Sequence, residues 1–172
     1  MLDLSIDFDK DVGSEVLKMF RGELRTLENL LDQRAEVGVF VESTRDDGKS
    51  NIDIAIAHEY GELENNLPQR SFLAQPLVDG TYESMLGKED IKINSKTLSK
   101  LASIFLKAVK EEFKTNGQGE WQPLSPRTKR IKNKNRNQLL RDTRQLYNAI
   151  EKREYNIKTD ETYQIITDFY MF

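Results

Sequence analysis

Apolar residues recur at three- and four-residue steps through the first part of the chain. Leu17, Phe20, Leu24, Leu27 and Leu31 are separated by charges, which predicts an amphipathic helix over Ser14 to Gln33 with Ser14 as its N-cap. The period then changes to two. Val37, Val39 and Val41 share one face and Gly38 and Phe40 the other, so Glu36 to Glu42 reads as a strand. Ser43 to Ser50 is polar, contains Asp46-Asp47-Gly48, and reads as a loop. Asn51 to Tyr60 fits two templates, because Ile52, Ile54 and Ile56 alternate as in a strand while Ile52, Ala55, Ile56 and Glu59 fit a short helix. The helix is favoured, since Ala55 and Ala57 are helix formers and Gly61 stands where a C-cap belongs. Pro68 sets an extended or turn conformation, and a second short helix is expected over Phe72 to Met85, interrupted near Pro76.

The clearest helix is Asn94 to Lys114, with Leu98, Leu101, Ile104, Phe105, Ala108, Val109 and Phe113 as one apolar stripe. Thr115-Asn116-Gly117-Gln118-Gly119 ends it and opens a long excursion over 117–137. Gln138 to Glu151 is expected as a further helix, with Leu139, Leu140, Leu146, Tyr147 and Ile150 as contacts. A hairpin closes the chain: Arg153 to Lys158, a turn at Thr159-Asp160-Glu161, then Thr162 to Tyr170. The expected product is one α+β domain over 1–172, a small, mostly antiparallel sheet packed against several helices, with a long basic loop.

Composition narrows the chemistry. With 172 residues the chain can bury a core without disulfide staples. Zero Cys removes disulfides, thiolate catalysis and cysteine metal sites together, and one His removes any site that needs two imidazoles. No apolar run approaches 18 residues, so no membrane span is expected, and the first eleven residues lack the basic and apolar regions of a signal peptide.

The short motifs that resemble catalytic signatures are incomplete. Gly48-Lys49-Ser50 looks like the end of a phosphate-binding loop, but position 43 is Ser where that loop needs Gly. His58-Glu59 resembles the start of a zinc-protease helix, but residue 62 is Glu rather than the second His. A Ser-His-Asp triad would have to use His58, and no Gly-x-Ser-x-Gly elbow accompanies it. The expectation is therefore no enzyme, no metal and no cofactor.

Charge is unevenly placed. From Trp121 to Arg144 eight basic residues stand against the single acid Asp142, giving +7; the rest of a chain whose net charge is −3 then carries −10. Arg127, Lys129, Arg130, Lys132, Lys134 and Arg136 are the candidate contacts of this segment. A solvated loop, an acidic protein partner and non-specific contact with nucleic acid are the three readings. Sequence-specific DNA recognition ranks last, because no DNA-binding motif accompanies the charge.

Three stretches, taken in order, give a more specific indication. They are Ile56-Ala57-His58-Glu59-Tyr60-Gly61, then Leu67-Pro68-Gln69-Arg70-Ser71-Phe72-Leu73, then Trp121-Gln122-Pro123-Leu124-Ser125 followed by Thr128, Lys132, Leu139-Leu140-Arg141-Asp142-Thr143 and Leu146. Together they resemble the tail-completion (virion-morphogenesis, or neck) family of tailed bacteriophages, over roughly Leu24 to Phe169. The family often has Pro where Ser71 stands and Gly where Arg144 stands; Arg144 in its place favours a continuous helix there. The resemblance implies a structural protein at the head–tail junction of a virion, assembled in the host cytoplasm. It would be a homo-oligomeric ring, six-fold by analogy with the tail tube, that touches head-connector and tail-terminator or tail-tube proteins. Packaged DNA is a further, non-specific contact. On that reading Glu59 and Arg70 form an orienting pair, and Phe72 and Trp121 are packing anchors, in roles that serve folding, assembly or both.

Overall fold

The structure, a computed structural model, describes residues 10–40, 48, 50–131, 139–140 and 144–159, without the side chains of 10–13 and 131. Its elements in chain order are α1 (Lys10–Leu31), β1 (Gln33–Val39), α2 (Asn51–Tyr60), α3 (Gln75–Val78), α4 (Thr81–Leu86), α5 (Thr97–Thr115), α6 (Pro126–Ile131), α7 (Gln145–Ala149) and β2 (Ile150–Asn156). β1 and β2 pair as a two-stranded antiparallel sheet that packs with helices, so the α+β class expected from the sequence holds. None of the described helices is long and apolar enough to cross a membrane.

The chain forms two compact units. The first is described over residues 10–34, 92–98 and 155–159. α1 begins earlier than its apolar stripe suggests, which places Ser14 inside the helix rather than at its cap. Within this unit the stripe of Leu17, Phe20, Leu24, Leu27 and Leu31 is left exposed. The Ile157 N–H donates to the Asp32 carbonyl at 2.7 Å, and Lys158 pairs with the Asp32 carboxylate at 2.7 Å.

The second unit, described over 35–40, 48, 50–91, 99–131, 139–140 and 144–154, holds the core. Ala55, Phe72, Val109, Phe113, Trp121, Leu139, Leu146 and Ile150 form it, with Val37 and Val39 packed against it from β1. Phe113 lies at its centre. Its ring meets Phe72 at 5.0 Å between centroids, and Trp121 and Tyr147 edge-on at 5.8 and 5.6 Å.

Asn51 to Tyr60 is the helix that the sequence favoured. The Ser50 hydroxyl accepts the N–H of Ile52 at 3.1 Å, and Gly61 follows at φ 75°. Its buried face is Asn51, Ala55 and Glu59, a four-residue period that leaves Ile56 exposed and disposes of the strand alternative. The helix expected over Phe72 to Met85 is two short ones. The break falls not at Pro76, which occupies the first turn of α3, but at Gly80, where φ is 79°.

Three boundaries differ from expectation. β1 starts at Gln33 rather than Glu36, because backbone pairing with β2 recruits Gln33, Arg34 and Ala35, which side-chain alternation does not reveal; it ends at Val39, and the expected end at 41–42 lies outside the described residues. Gln138 to Glu151 is not one helix: Arg144 takes a left-handed φ of 61°, α7 spans only five residues, and the chain becomes strand at Ile150. The 117–137 excursion is not all loop, since Pro126 to Ile131 is helical. The second strand of the expected terminal hairpin, Thr162 to Tyr170, lies outside the described residues, as does most of the expected 43–50 loop.

Candidate functional site

The second unit brings together Glu59, Arg70, Phe72 and Trp121, residues spread over more than sixty positions of chain, and buries all four. α2 places Glu59 in its last turn with the carboxylate facing inward. Oε1 accepts the Ser71 hydroxyl at 2.6 Å and the Ala74 N–H at 3.0 Å; Oε2 accepts the N–H groups of Phe72 and Leu73 at 2.8 and 3.0 Å. These are the backbone donors that lead into α3, whose N-cap, Ala74, has no side chain able to satisfy them. Glu59 therefore caps α3 from another helix, and four donors compensate its loss of water. Ser71 extends the arrangement by accepting the Gln75 N–H at 3.2 Å.

The Glu59–Arg70 pair expected from the sequence does not form. Arg70 instead donates from Nε and Nη2 to one acceptor, the Gln122 carbonyl, at 3.3 and 3.0 Å. The reason lies in the segment before α3: three backbone N–H groups and the Ser71 hydroxyl claim the carboxylate. The two residues still shape the same segment, because the Arg70 N–H donates to the His58 carbonyl at 2.7 Å and the Gln69 side chain donates to the Glu59 carbonyl at 3.0 Å. Gly61 permits this approach, since a Cβ at its φ of 75° would lie 2.9 Å from the Gln69 nitrogen.

Phe72 and Trp121 are the packing anchors that their sequence positions suggested, at 0% and 8% exposure. The Trp121 indole N–H donates to the Ser71 carbonyl at 3.1 Å, so the third sequence stretch is bonded to the second through both Trp121 and Gln122. The basic candidates lie apart from this cluster. Arg127, Lys129 and Arg130 are exposed on α6; Lys132, Lys134 and Arg136 lie outside the described residues.

Beside the cluster a pocket of about 500 Å³ opens over Arg70. Ile54, Leu67, Leu124 and Leu140 give it apolar walls, and Ser125 and Thr128 add hydroxyls. The latter two are mutually hydrogen-bonded at 2.8 Å. Arg70 is 4% exposed, and burial alone pulls its pKa below the usual guanidinium range. Among the described residues no carboxylate forms an ion pair with it.

Sequence reasoning missed two residues that matter here. Glu112 is fully buried on α5, and burial pushes its carboxyl up to about 7; the Gln118 amide opposes that shift at 3.3 Å and the nearby Asp79 adds to it. Its place in the apolar stripe, four residues after Ala108, was the available signal. Gly117 reads in sequence only as a helix stop, yet it makes room for the Trp121 ring.

The arrangement is a clasp. It satisfies backbone donors, orders a loop and leaves one buried cation facing an open pocket. Among the described residues no three His, Asp or Glu side chains converge as a metal set. Comparison with protein-family models, curated proteins and solved structures finds no match to the chain.

Proposed function

We propose that the chain is a structural protein of a tailed-phage virion, a neck or tail-completion component that joins head and tail as a ring of identical subunits and performs no chemistry on a substrate. One observation supports this reading above the others. The three stretches that carry the family resemblance are hydrogen-bonded to one another: the first to the second through Glu59, the second to the third through Arg70 and Trp121. Residues that match a family pattern only in pieces along the chain thus form one clasp in space. A clasp of buried backbone contacts stiffens a subunit surface, as a load-bearing joint needs. Head-connector and tail-terminator or tail-tube proteins are the partners that the reading implies, with a six-fold ring by analogy with the tail tube. Virions carrying an affinity label on this chain test it: label confined to a ring at the head–tail junction is expected, and label elsewhere or on no particle contradicts it.

A second reading has its own support. α6 presents Arg127, Lys129 and Arg130 on six residues, all exposed, beside more basic sequence. That charge suits non-specific contact with nucleic-acid phosphates, in an accessory protein or on DNA passing through a ring.

A further inference from the structure

Arg70 is buried and meets no counter-charge among the described residues, which is a costly state for a guanidinium. The Gln122 carbonyl takes two N–H donors of Arg70 and leaves three of the five that the group carries. Lost hydration is repaid only when an anion completes the fork, and a carboxylate matches that fork with two parallel hydrogen bonds. The pocket over Arg70 is where such an anion would enter.

Its chemistry favours a protein carboxylate over a nucleic-acid phosphate. Among the described residues that line it Arg70 is the only Lys or Arg, whereas a phosphate backbone brings repeated charges that several cations must meet. The apolar walls fit a hydrophobic side chain beside the acid, and the chain displays such a group. Glu62 and Leu67 pair across a tight turn, donating backbone N–H to carbonyl in both directions at 2.9 Å. From its base into its tip Glu62, Leu63 and Glu64 are exposed, Leu63 at 96%. An almost bare leucine between two carboxylates is complementary to a pocket that joins apolar walls to one buried cation.

We propose that the Arg70 pocket seats the Glu62-Leu63-Glu64 turn of a second copy of this chain, with a carboxylate closing on the guanidinium and Leu63 entering the apolar wall. The inference rests on the ring reading only in that copies associate. The turn also lends Asn65, Asn66 and Leu67 to the rim of the pocket, so plug and pocket lie side by side on the chain, and the contact can repeat from copy to copy.

The test titrates a capped peptide of residues 59–68 into the full-length chain by calorimetry. Saturable binding is expected. A peptide carrying Glu62→Gln, Leu63→Ser and Glu64→Gln should bind at least tenfold more weakly, and Arg70→Lys in the full chain should weaken the native peptide by a similar factor, because one ammonium cannot reproduce the fork. If Arg70→Lys does not fold, the peptide comparison still decides. No binding, equal binding of the two peptides, or displacement of the native peptide by a short oligonucleotide would overturn the proposal, the last in favour of phosphate. The two readings fail separately. Silent titrations with a chain that virions still require would sink only the pocket; clear titrations with a chain that virions do not require would sink only the neck assignment.

Discussion

Gly117 leaves the space that Trp121 fills: a Cβ on Gly117 would lie 2.2 Å from the indole Cδ1. The glycine also holds a φ of 65°, and its N–H donates to the Glu112 carbonyl at 2.9 Å as α5 ends. One residue thus ends a helix and creates the site for the ring that ties the third stretch to the second.

Gly117→Ala should therefore be among the most damaging small changes in the chain. Left-handed strain and a displaced indole together cost about 2–4 kcal/mol. Chemical denaturation followed by the fluorescence of the single Trp should show a lower midpoint and a shifted native spectrum. The same change at Gly80, where a Cβ would meet nothing within 4 Å, should cost less.

Glu59→Gln should also destabilise strongly. The amide keeps the size of the side chain but turns a donor group toward backbone N–H donors and removes the charge, a loss of about 2–4 kcal/mol. Ser71→Ala deletes one of the four donors and should cost about 1 kcal/mol. Thermal or urea unfolding of the two variants checks the ranking.

Glu112 predicts a pH dependence. Its folded-state pKa of about 7 lies above its ordinary value of 4.5, so the native state binds the extra proton more tightly than the unfolded state. Its contribution to stability is full below about 4.5 and is lost as pH rises to about 7 and beyond. Stability should fall across that window. Glu112→Gln, which mimics the protonated form, should flatten that fall; a slope unchanged in this variant would show that another group titrates.

Much of this architecture was legible in the chain. The apolar stripe of α5, the helix over Asn51 to Tyr60 and the burial of Phe72 and Trp121 follow from periodicity and motif. The carboxylate of Glu59 was not readable as a helix cap. Opposite charges eleven residues apart suggest an ion pair, whereas the demand of the unpaired N–H groups before α3 appears only once the backbone is placed. Arg144 misled for a related reason. Arginine is a good helix former, yet the turn before α7 imposes a left-handed φ there, a conformation that glycine adopts at little cost. β2 reads Ile-Glu-Lys-Arg-Glu-Tyr-Asn, and a strand so polar announces itself through its partner rather than its pattern.

If α6 meets packaged DNA, replacing Arg127, Lys129 and Arg130 together by Glu should abolish gel shifts of duplex DNA at low salt, and the wild-type shift should fade steeply as salt rises. No shift by the wild-type chain at low salt would remove the nucleic-acid contact and leave protein partners alone.

In the proposed role these residues build a joint between virion parts. Electron microscopy of particles assembled without this chain tests it most directly. DNA-filled heads and finished tails lying separately are expected, restored to whole virions when the chain is supplied in trans. Intact, infectious particles in its absence would contradict it.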